Sequence, residues 1–137
     1  MKKFETLDIS GDVGLKVWAQ ELGELFENAA LGMFELITNT DAVSEKEEKE
    51  IAIEASDNDS LLVRWLNELI FYFDTYGFIG KRFNVNIEDK KLKAKVFGAT
   101  FDPESNESRL LVKAATYHML SLKKTDSLWE ATVIFDI

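Results

Sequence analysis

The chain of 137 residues has the length of one domain, and its 46% of hydrophobic and 12% of aromatic residues suffice for a real core. It contains no cysteine, which excludes disulfides and thiolate metal sites. Its net charge of −9 argues against direct nucleic-acid binding as the main activity, because such binding needs positive charge to replace phosphate counterions. An acidic chain is better suited to a cation or a basic partner.

The charge is distributed unevenly along the chain. Residues 1–60 contain fifteen acidic and five basic residues, whereas residues 61–137 contain ten and eleven. The first residues turn polar at once and lack the apolar region of a signal peptide. The apolar stretches further on are too short and too interrupted to span a bilayer. We therefore expect a soluble, cytoplasmic protein without a membrane partner.

The first half of the chain predicts two strands and a helix. The segments FETLDIS and GLKVWA are typical of strands, and the polar break SGDVG lies between them. Apolar residues at steps of three and one then predict an amphipathic helix over residues 20–37. Its apolar stripe contains Leu22, Leu25, Phe26, Ala29, Ala30, Met33, Phe34 and Ile37.

A strand, a second helix and four further strands are predicted after this. The segment KEIAIEA alternates as a strand does, and either Asp57 or Asp59 is expected to cap the second helix, which Gly77 ends. Strands FIGKRFNVNI and KLKAKVFGATF flank a charged turn, and strands RLLVKAATYHMLSL and LWEATVIFDI flank another. This order predicts an α+β fold, with two amphipathic helices packed on a mostly antiparallel sheet in a single domain, residues 1–137.

The first candidate site residue is Asp12. Glycines on both sides of it would let the backbone bend sharply and leave the carboxylate exposed at a break between strands. The alternative is an ordinary turn aspartate that caps its own backbone amides.

The second candidate site is the end of the chain, WEATVIFDI. A strand ending here places the α-carboxylate of Ile137 next to the carboxylate of Asp136. A divalent cation such as Ca²⁺ or Mg²⁺ would neutralise this pair, because both ions prefer carboxylate oxygens. Two alternatives stay open: Lys113 is an ion-pair partner, or the strand end is acidic, solvated and without a role.

Most enzyme classes find little support in the sequence. His118 is the only histidine, and a lone histidine on a strand is more typical of a hydrogen-bonded structural residue than of a catalyst. There is no phosphate-binding loop, no dinucleotide fingerprint and no nucleophile-elbow serine. An ordinary hydrolase, kinase or oxidoreductase is therefore poorly supported.

Four separated blocks carry a resemblance to a known family. They are LDISGDVGLKVWAQELGELFENAALGMFELI, LLVRWLNELIFYFDTYGFI, VKAATYHMLSL and the terminal VIFDI. Together they resemble the archease family over essentially the full chain, with KAATYH and FDI as the most specific pieces. The resemblance implies an accessory protein, not an enzyme, that activates an RtcB-type RNA ligase in tRNA splicing by promoting ligase guanylylation and multiple turnover. RNA would be reached only through the ligase.

The resemblance also implies a bound divalent cation, most often calcium. The ligands implied are Asp12, Asp136 and the terminal carboxylate of Ile137, and the family's lysine falls on Lys113, which would support activation. The family's N-terminal block usually reads His-Thr-Ala-Asp, whereas here Ile9, Ser10 and Gly11 precede Asp12, so the aspartate is kept and the histidine is not.

A different class of function competes with this one. A general chaperone or adaptor would use the acidic surface to hold basic client proteins. A stand-alone metal-dependent hydrolase is a third interpretation, but the sequence offers neither a matched general base nor a phosphate cradle for it.

Overall fold

The computed structural model describes residues 2–137. The strands are β1 Phe4–Ile9, β2 Asp12–Ala19, β3 Glu47–Glu54, β4 Phe78–Glu88, β5 Lys91–Thr100, β6 Ala114–Ala115, β7 Ser121–Thr125 and β8 Leu128–Asp136. The helices are α1 Leu22–Ile37 and α2 Asn58–Tyr76, and a 3₁₀ turn covers Thr40–Ala42.

The strands form two antiparallel sheets. In sheet A the order is β1-β2-β8, and both β6 and β7 pair with the far side of β8. In sheet B the order is β3-β5-β4. The predicted α+β class with two helices on antiparallel strands is confirmed, and the strands are divided between two sheets.

Helix α1 packs against strands of both sheets, which explains why little of it is exposed. Its apolar stripe is buried except for Leu22, which is half-buried, and Asn28 and Gly32 are buried as well. The side-chain amide of Asn28 donates to the carbonyl of Trp18 in sheet A at 2.8 Å. The carboxylate of Glu27 accepts from the backbone N–H of Val85 in sheet B at 2.8 Å. A helix covered on several sides in this way forms the centre of the core.

Helix α2 begins and ends with the expected signals. The carboxylate of Asp57 accepts from the backbone N–H of Ser60 at 2.7 Å, so Asp57 and not Asp59 is the N-cap. Gly77 ends the helix in the left-handed conformation, with φ of 70°. Trp65 is fully buried, and its indole N–H donates to the carbonyl of Phe26 at 3.0 Å, which ties α2 to α1.

Two predicted boundaries are wrong. The break between the first strands consists only of Ser10 and Gly11, whose φ is 80°, and Asp12 already belongs to β2. The long strand predicted over residues 109–122 is not continuous, because only Ala114–Ala115 and the residues from Ser121 onward pair with β8. In the described part of the chain, no helix is long and apolar enough to cross a membrane.

Candidate functional site

The candidate ligands Asp12 and Asp136 lie side by side on neighbouring strands. Val13 pairs with Phe135 in the antiparallel register of β2 and β8, so one further step places Asp12 directly opposite Asp136. Residues that are directly opposite share a face of the sheet, with Cβ atoms about 4.5–5.5 Å apart. Two regions that are far apart in sequence therefore meet in a single cross-strand pair.

Asp12 and Asp136 fit a hard cation by the chemistry of their donors. Opposed carboxylates repel each other on a sheet, and among residues 2–137 neither forms a side-chain hydrogen bond or an ion pair with another residue. Asp12 is half-buried and Asp136 is exposed. Such a pair supplies up to four oxygen donors, which suits Ca²⁺ or Mg²⁺ and leaves room for water or a partner's oxygens.

Ile137 follows Asp136 directly at the end of β8, and the residue is 39% exposed. Within the described residues, no group of three or more His, Cys, Asp and Glu side chains is gathered in a way that could hold a metal ion. A three-ligand site therefore depends on the main-chain carboxylate of Ile137, and that ligand stays a prediction.

The neighbours of the aspartate pair in the same cross-strand row are apolar. Ile9 lies opposite Asp12 in β1, and Ala114 lies opposite Asp136 in β6. The position where the family pattern has a histidine is thus next to the pair, and isoleucine offers no nitrogen ligand there. Oxygen atoms alone are available from this row, which favours a hard cation over a transition metal.

Lys113 supports the site with its backbone. Its N–H donates to the carbonyl of Asp136 at 2.8 Å, which holds the end of β8 in place. The side chain is exposed, and no ion pair joins it to Asp136 in the region the structure describes. The alternative in which Lys113 neutralises the strand end by an ion pair is therefore not seen, and its support of activation stays a prediction.

The segment that leads to Lys113 is attached to the end of α1. The backbone N–H groups of Arg109 and Leu110 donate to the carbonyls of Ile37 and Leu36, at 3.0 and 2.9 Å. The guanidinium group of Arg109 also donates to the carbonyl of Glu35 at 2.8 Å. A cation at this end of a helix is favourable, and the last turn of α1 has no basic residue of its own.

Asn67 on α2 is a positioning residue that the sequence did not reveal. Its side-chain amide donates to the carbonyl of Ala115 at 3.1 Å, and its side-chain oxygen accepts from the N–H of Ala115 at 2.8 Å. The side chain therefore pairs with β6 as another strand would, while β8 pairs with the other edge of β6. An asparagine in the middle of a helix is the only sequence signal for this contact.

His118 lies close to the site in sequence but not in a metal-binding arrangement. It is exposed, and its backbone N–H donates to the hydroxyl of Thr116 at 3.3 Å. No hydrogen bond from its imidazole ring is formed with any residue from 2 to 137. The expectation of a hydrogen-bonded structural histidine is therefore not met by the ring.

Comparison with known proteins gives a match over nearly the whole chain. Residues 4–137 match the model of the Archease protein family. The protein archease of Sulfurisphaera tokodaii is 37% identical over 139 residues, covering 100% of both chains. The protein archease of Saccharolobus solfataricus is 40% identical over 139 residues, again with 100% of both covered.

Two solved structures share the fold. The solution structure of protein 1598 from Methanobacterium thermoautotrophicum has a TM-score of 0.88 and 40% sequence identity, covering 100% of both chains. The crystal structure of an archease from Thermotoga maritima, described as a possible chaperone, has a TM-score of 0.70, 20% identity and coverage of 97% and 96%. At this lower identity the second structure supports the fold alone.

Proposed function

This chain belongs to the archease protein family, and from that premise we propose that it activates an RtcB-type RNA ligase in tRNA splicing. In this role it promotes formation of the guanylylated ligase and allows multiple turnover, and it is not itself a catalyst. Its direct partner is the ligase, and RNA is reached only through that enzyme.

The observation that supports this proposal most strongly is the opposition of Asp12 and Asp136 across β2 and β8. An unpaired, like-charged pair on a sheet destabilises the fold, so its presence at the chain end is best explained by a ligand that neutralises it. A calcium ion, or magnesium, would be held by Asp12, Asp136 and the carboxylate of Ile137. When bound, the cation supplies positive charge and open coordination positions at this edge.

The chain's own residues would present that site to the ligase in a fixed geometry. Asn67 and the backbone of Lys113 hold β6 and the end of β8, so the carboxylates do not have to be ordered on binding. The net charge of −9 attracts a basic nucleic-acid-handling enzyme and raises the rate of encounter. The contact would favour the reactive state of the ligase by about 1–3 kcal/mol, which is the usual size of such a coupling free energy.

The test of activation uses the purified ligase with labelled GTP and a cleaved tRNA substrate. We expect this protein to increase the rate of ligase guanylylation and the number of turnovers, and Asp12→Asn to reduce both effects. If saturating amounts of the wild-type protein leave guanylylation and turnover unchanged, the proposed function is wrong.

The test of the cation site is a calcium titration by calorimetry at fixed pH. Three proteins are compared: the wild type, Asp12→Asn, and a variant carrying two additional residues after Ile137. The extended variant keeps every side chain and moves only the free carboxylate, so weaker binding identifies that carboxylate as a ligand. Equal affinities in all three proteins would dismiss the site.

A general chaperone is the second candidate, because large apolar side chains are exposed in the segments before and after β6. Leu111, Tyr117 and Met119 have 63%, 63% and 59% of their surface exposed. Such exposure is a feature of surfaces that bind other proteins. A chaperone would suppress the aggregation of unrelated, heat-denatured proteins at stoichiometric amounts, whereas a dedicated ligase activator would not.

A further inference from the structure

Strand β3 lies at the edge of sheet B, and one side of its backbone is open. The N–H of Ala55, just past the strand, donates to the carbonyl of Lys90 at 3.2 Å, so Ala55 faces β5. Because the hydrogen-bonding direction alternates along a strand, Glu48, Glu50 and Ala52 direct their N–H and C=O groups away from β5. In the described part of the chain, these outward groups have no hydrogen-bond partner.

The opposite edge of the same sheet is closed by the protein itself. Strand β4 directs the N–H of Val85 outward, and the carboxylate of Glu27 on α1 accepts it at 2.8 Å. Helix α1 also passes so close that a Cβ on Gly23 would lie 2.7 Å from the carbonyl oxygen of Val85. Proteins cover or charge their sheet edges because an open edge pairs with other chains. The eight-residue strand β3 is charged but not covered, so its backbone is available for an added strand.

Helix α2 runs alongside this open edge. At one end of β3, the guanidinium group of Arg64 donates to the outward carbonyl of Glu54 at 3.1 Å. At the other end, the ammonium group of Lys49 lies over the ring of Tyr76, 5.6 Å from its centroid. The helical path from Arg64 to Tyr76 is about 18 Å long, and the strand from Lys49 to Glu54 is about 17 Å long. Helix and strand therefore lie side by side over this length.

The stripe of α2 next to the edge contains aromatic side chains. Residues at steps of four share one face of a helix, so Glu68 and Tyr72 belong to the same stripe as Arg64 and Tyr76. The ring of Phe71 packs edge-on against the rings of Tyr72 and Tyr76, with centroids 5.8 and 6.3 Å apart. Phe71 is nevertheless 51% exposed and Tyr76 57% exposed. Exposed aromatic rings that are held by one another are typical of surfaces that bind proteins.

The charges beside the edge indicate the chemistry of the added strand. Glu48, Glu50 and Glu54 are exposed on β3, and none of them forms an ion pair with the residues described. An added strand lies about 4.8 Å from β3, where basic side chains opposite the glutamates are favourable and acidic ones are not. Tyrosine rings also attract cations, as the position of Lys49 illustrates. The lysines of β5 are about twice as far from the added strand, on the other side of β3: Lys91, Lys93 and Lys95.

The edge strands of a second copy match this edge less well. Pairing β3 with β3 brings glutamates together, and the edge strand β1 carries Glu5 and Asp8. Strand β7 carries Lys123 and Lys124 and is complementary in charge, but it is only five residues long. Its pairing with β3 would also join two unlike surfaces, which produces rings or open filaments. These features favour a partner protein, and the experiment below distinguishes it from a second copy.

We propose that β3 binds, as an additional strand of sheet B, an extended segment of a partner protein with arginine or lysine at alternate positions. Its backbone pairs with the outward groups of Glu48, Glu50 and Ala52. Its basic side chains lie beside the glutamates, and the side chains between them contact the aromatic rings of α2. The aspartate pair of the candidate cation site belongs to sheet A, so this inference does not rest on the proposed function.

The test measures, by fluorescence anisotropy at physiological salt, how the full chain binds a labelled peptide of alternating arginine and valine. Two further peptides carry N-methyl groups on either the arginine amides or the valine amides. Only one of these sets points toward β3 in an added strand, so we expect one methylated peptide to bind about 10-fold more weakly and the other to lose less than about twofold. Equal affinities of the two methylated peptides, or no saturable binding of the unmethylated one, would overturn the inference.

Variants of the chain locate the binding site. Glu50→Lys should weaken peptide binding about 10-fold, whereas Glu88→Lys should change it less than about twofold. Glu88 is the matched control because it is exposed on the same sheet at the end of β4, two strands from β3. Ala52→Pro should also abolish binding, and it removes an outward N–H without breaking a hydrogen bond to β5. Thermal melts check that the variants are folded.

Two results with these variants would contradict the proposal. An equal loss of affinity in Glu50→Lys and Glu88→Lys would show that the acidic chain attracts the peptide without a defined site. Sedimentation showing wild-type oligomers that both Ala52→Pro and Lys124→Glu dissociate would assign the edge to β7 of a second copy.

Discussion

The hydrogen-bonded contact between Asn67 and Ala115 gives the sharpest stability prediction. Asn67→Leu keeps the branched shape of the side chain but removes both its donor and its acceptor. Ala115 is 5% exposed, so its N–H loses its partner in a place that water reaches poorly. Leaving a buried N–H unsatisfied costs about 1–3 kcal/mol, and the carbonyl of Ala115 loses the hydrogen bond that it accepts from Asn67 as well.

The expected change in melting temperature follows from the size of the chain. At about 2.1 cal/mol/K per residue, unfolding of 137 residues carries an entropy of about 0.29 kcal/mol/K. A loss of about 2 kcal/mol therefore lowers the melting temperature by about 7 °C. Differential scanning calorimetry measures this directly, and hydrogen exchange of the Ala115 amide reports the local opening of β6.

Asn86→Leu is the matched control for this prediction. Asn86 is exposed on sheet B, and its side chain forms no hydrogen bond with any residue from 2 to 137. Its replacement should change the free energy of unfolding by less than about 0.5 kcal/mol. A wild-type melting temperature in Asn67→Leu, with the Ala115 amide still protected from exchange, would refute the role assigned to Asn67.

Three further predictions concern charge and backbone space. Without divalent ions, Asp12→Asn should be more stable than the wild type by about 0.2–1 kcal/mol, because one charge of an opposed pair is lost. Calcium at about 100 times the dissociation constant should stabilise the wild type by about 2.7 kcal/mol and so reverse this order. Thermal melts with and without calcium measure both differences. Burial raises the pKa of Glu27 above its usual value of 4.5, so the folded state holds this proton more tightly than the unfolded chain. Relative to Glu27→Gln, wild-type stability in urea titrations should therefore be highest below pH 4.5 and decline as the pH rises through the folded pKa. A Cβ on Gly98 would overlap the carbonyl oxygen of Ile79, so Gly98→Ala should cost about 3 kcal/mol by urea unfolding, whereas near-wild-type stability would mean that β4 can shift.

The two helices could be predicted from the sequence because their signals are local. Apolar residues at helical spacing defined α1, and a capping aspartate and a terminal glycine defined α2. Only the choice between Asp57 and Asp59 needed the structure, since both residues can accept from the first turn.

The edge of sheet A could not be predicted, for a reason that concerns register. The segment Tyr117–Met119 contains neither glycine nor proline, so no residue in it indicates a break in the strand. The break exists because β6 and β7 pair with β8 three residues out of phase, and pairing between distant strands leaves no local mark.

Only part of the candidate site could be predicted from the sequence. Composition and spacing suggested that Asp136 and the chain end need neutralising, but they left a cation, Lys113 and solvent as alternatives. The link from Asp12 to Asp136 came from the family resemblance, and the register of β2 and β8 gives it a physical basis. The contribution of Asn67 depends on a contact 48 residues away and has no counterpart in a local pattern.

The position of β8 in sheet A affects how the protein folds during synthesis. It lies between β2 and the pair formed by β6 and β7, although it comes last among the eight strands in chain order and so leaves the ribosome after β2. Until β8 has been synthesised, one row of N–H and C=O groups of β2 is unpaired. Nascent chains could aggregate on this exposed strand edge. Because pairing between strands so distant in sequence forms slowly, this edge of β2 is covered late in folding.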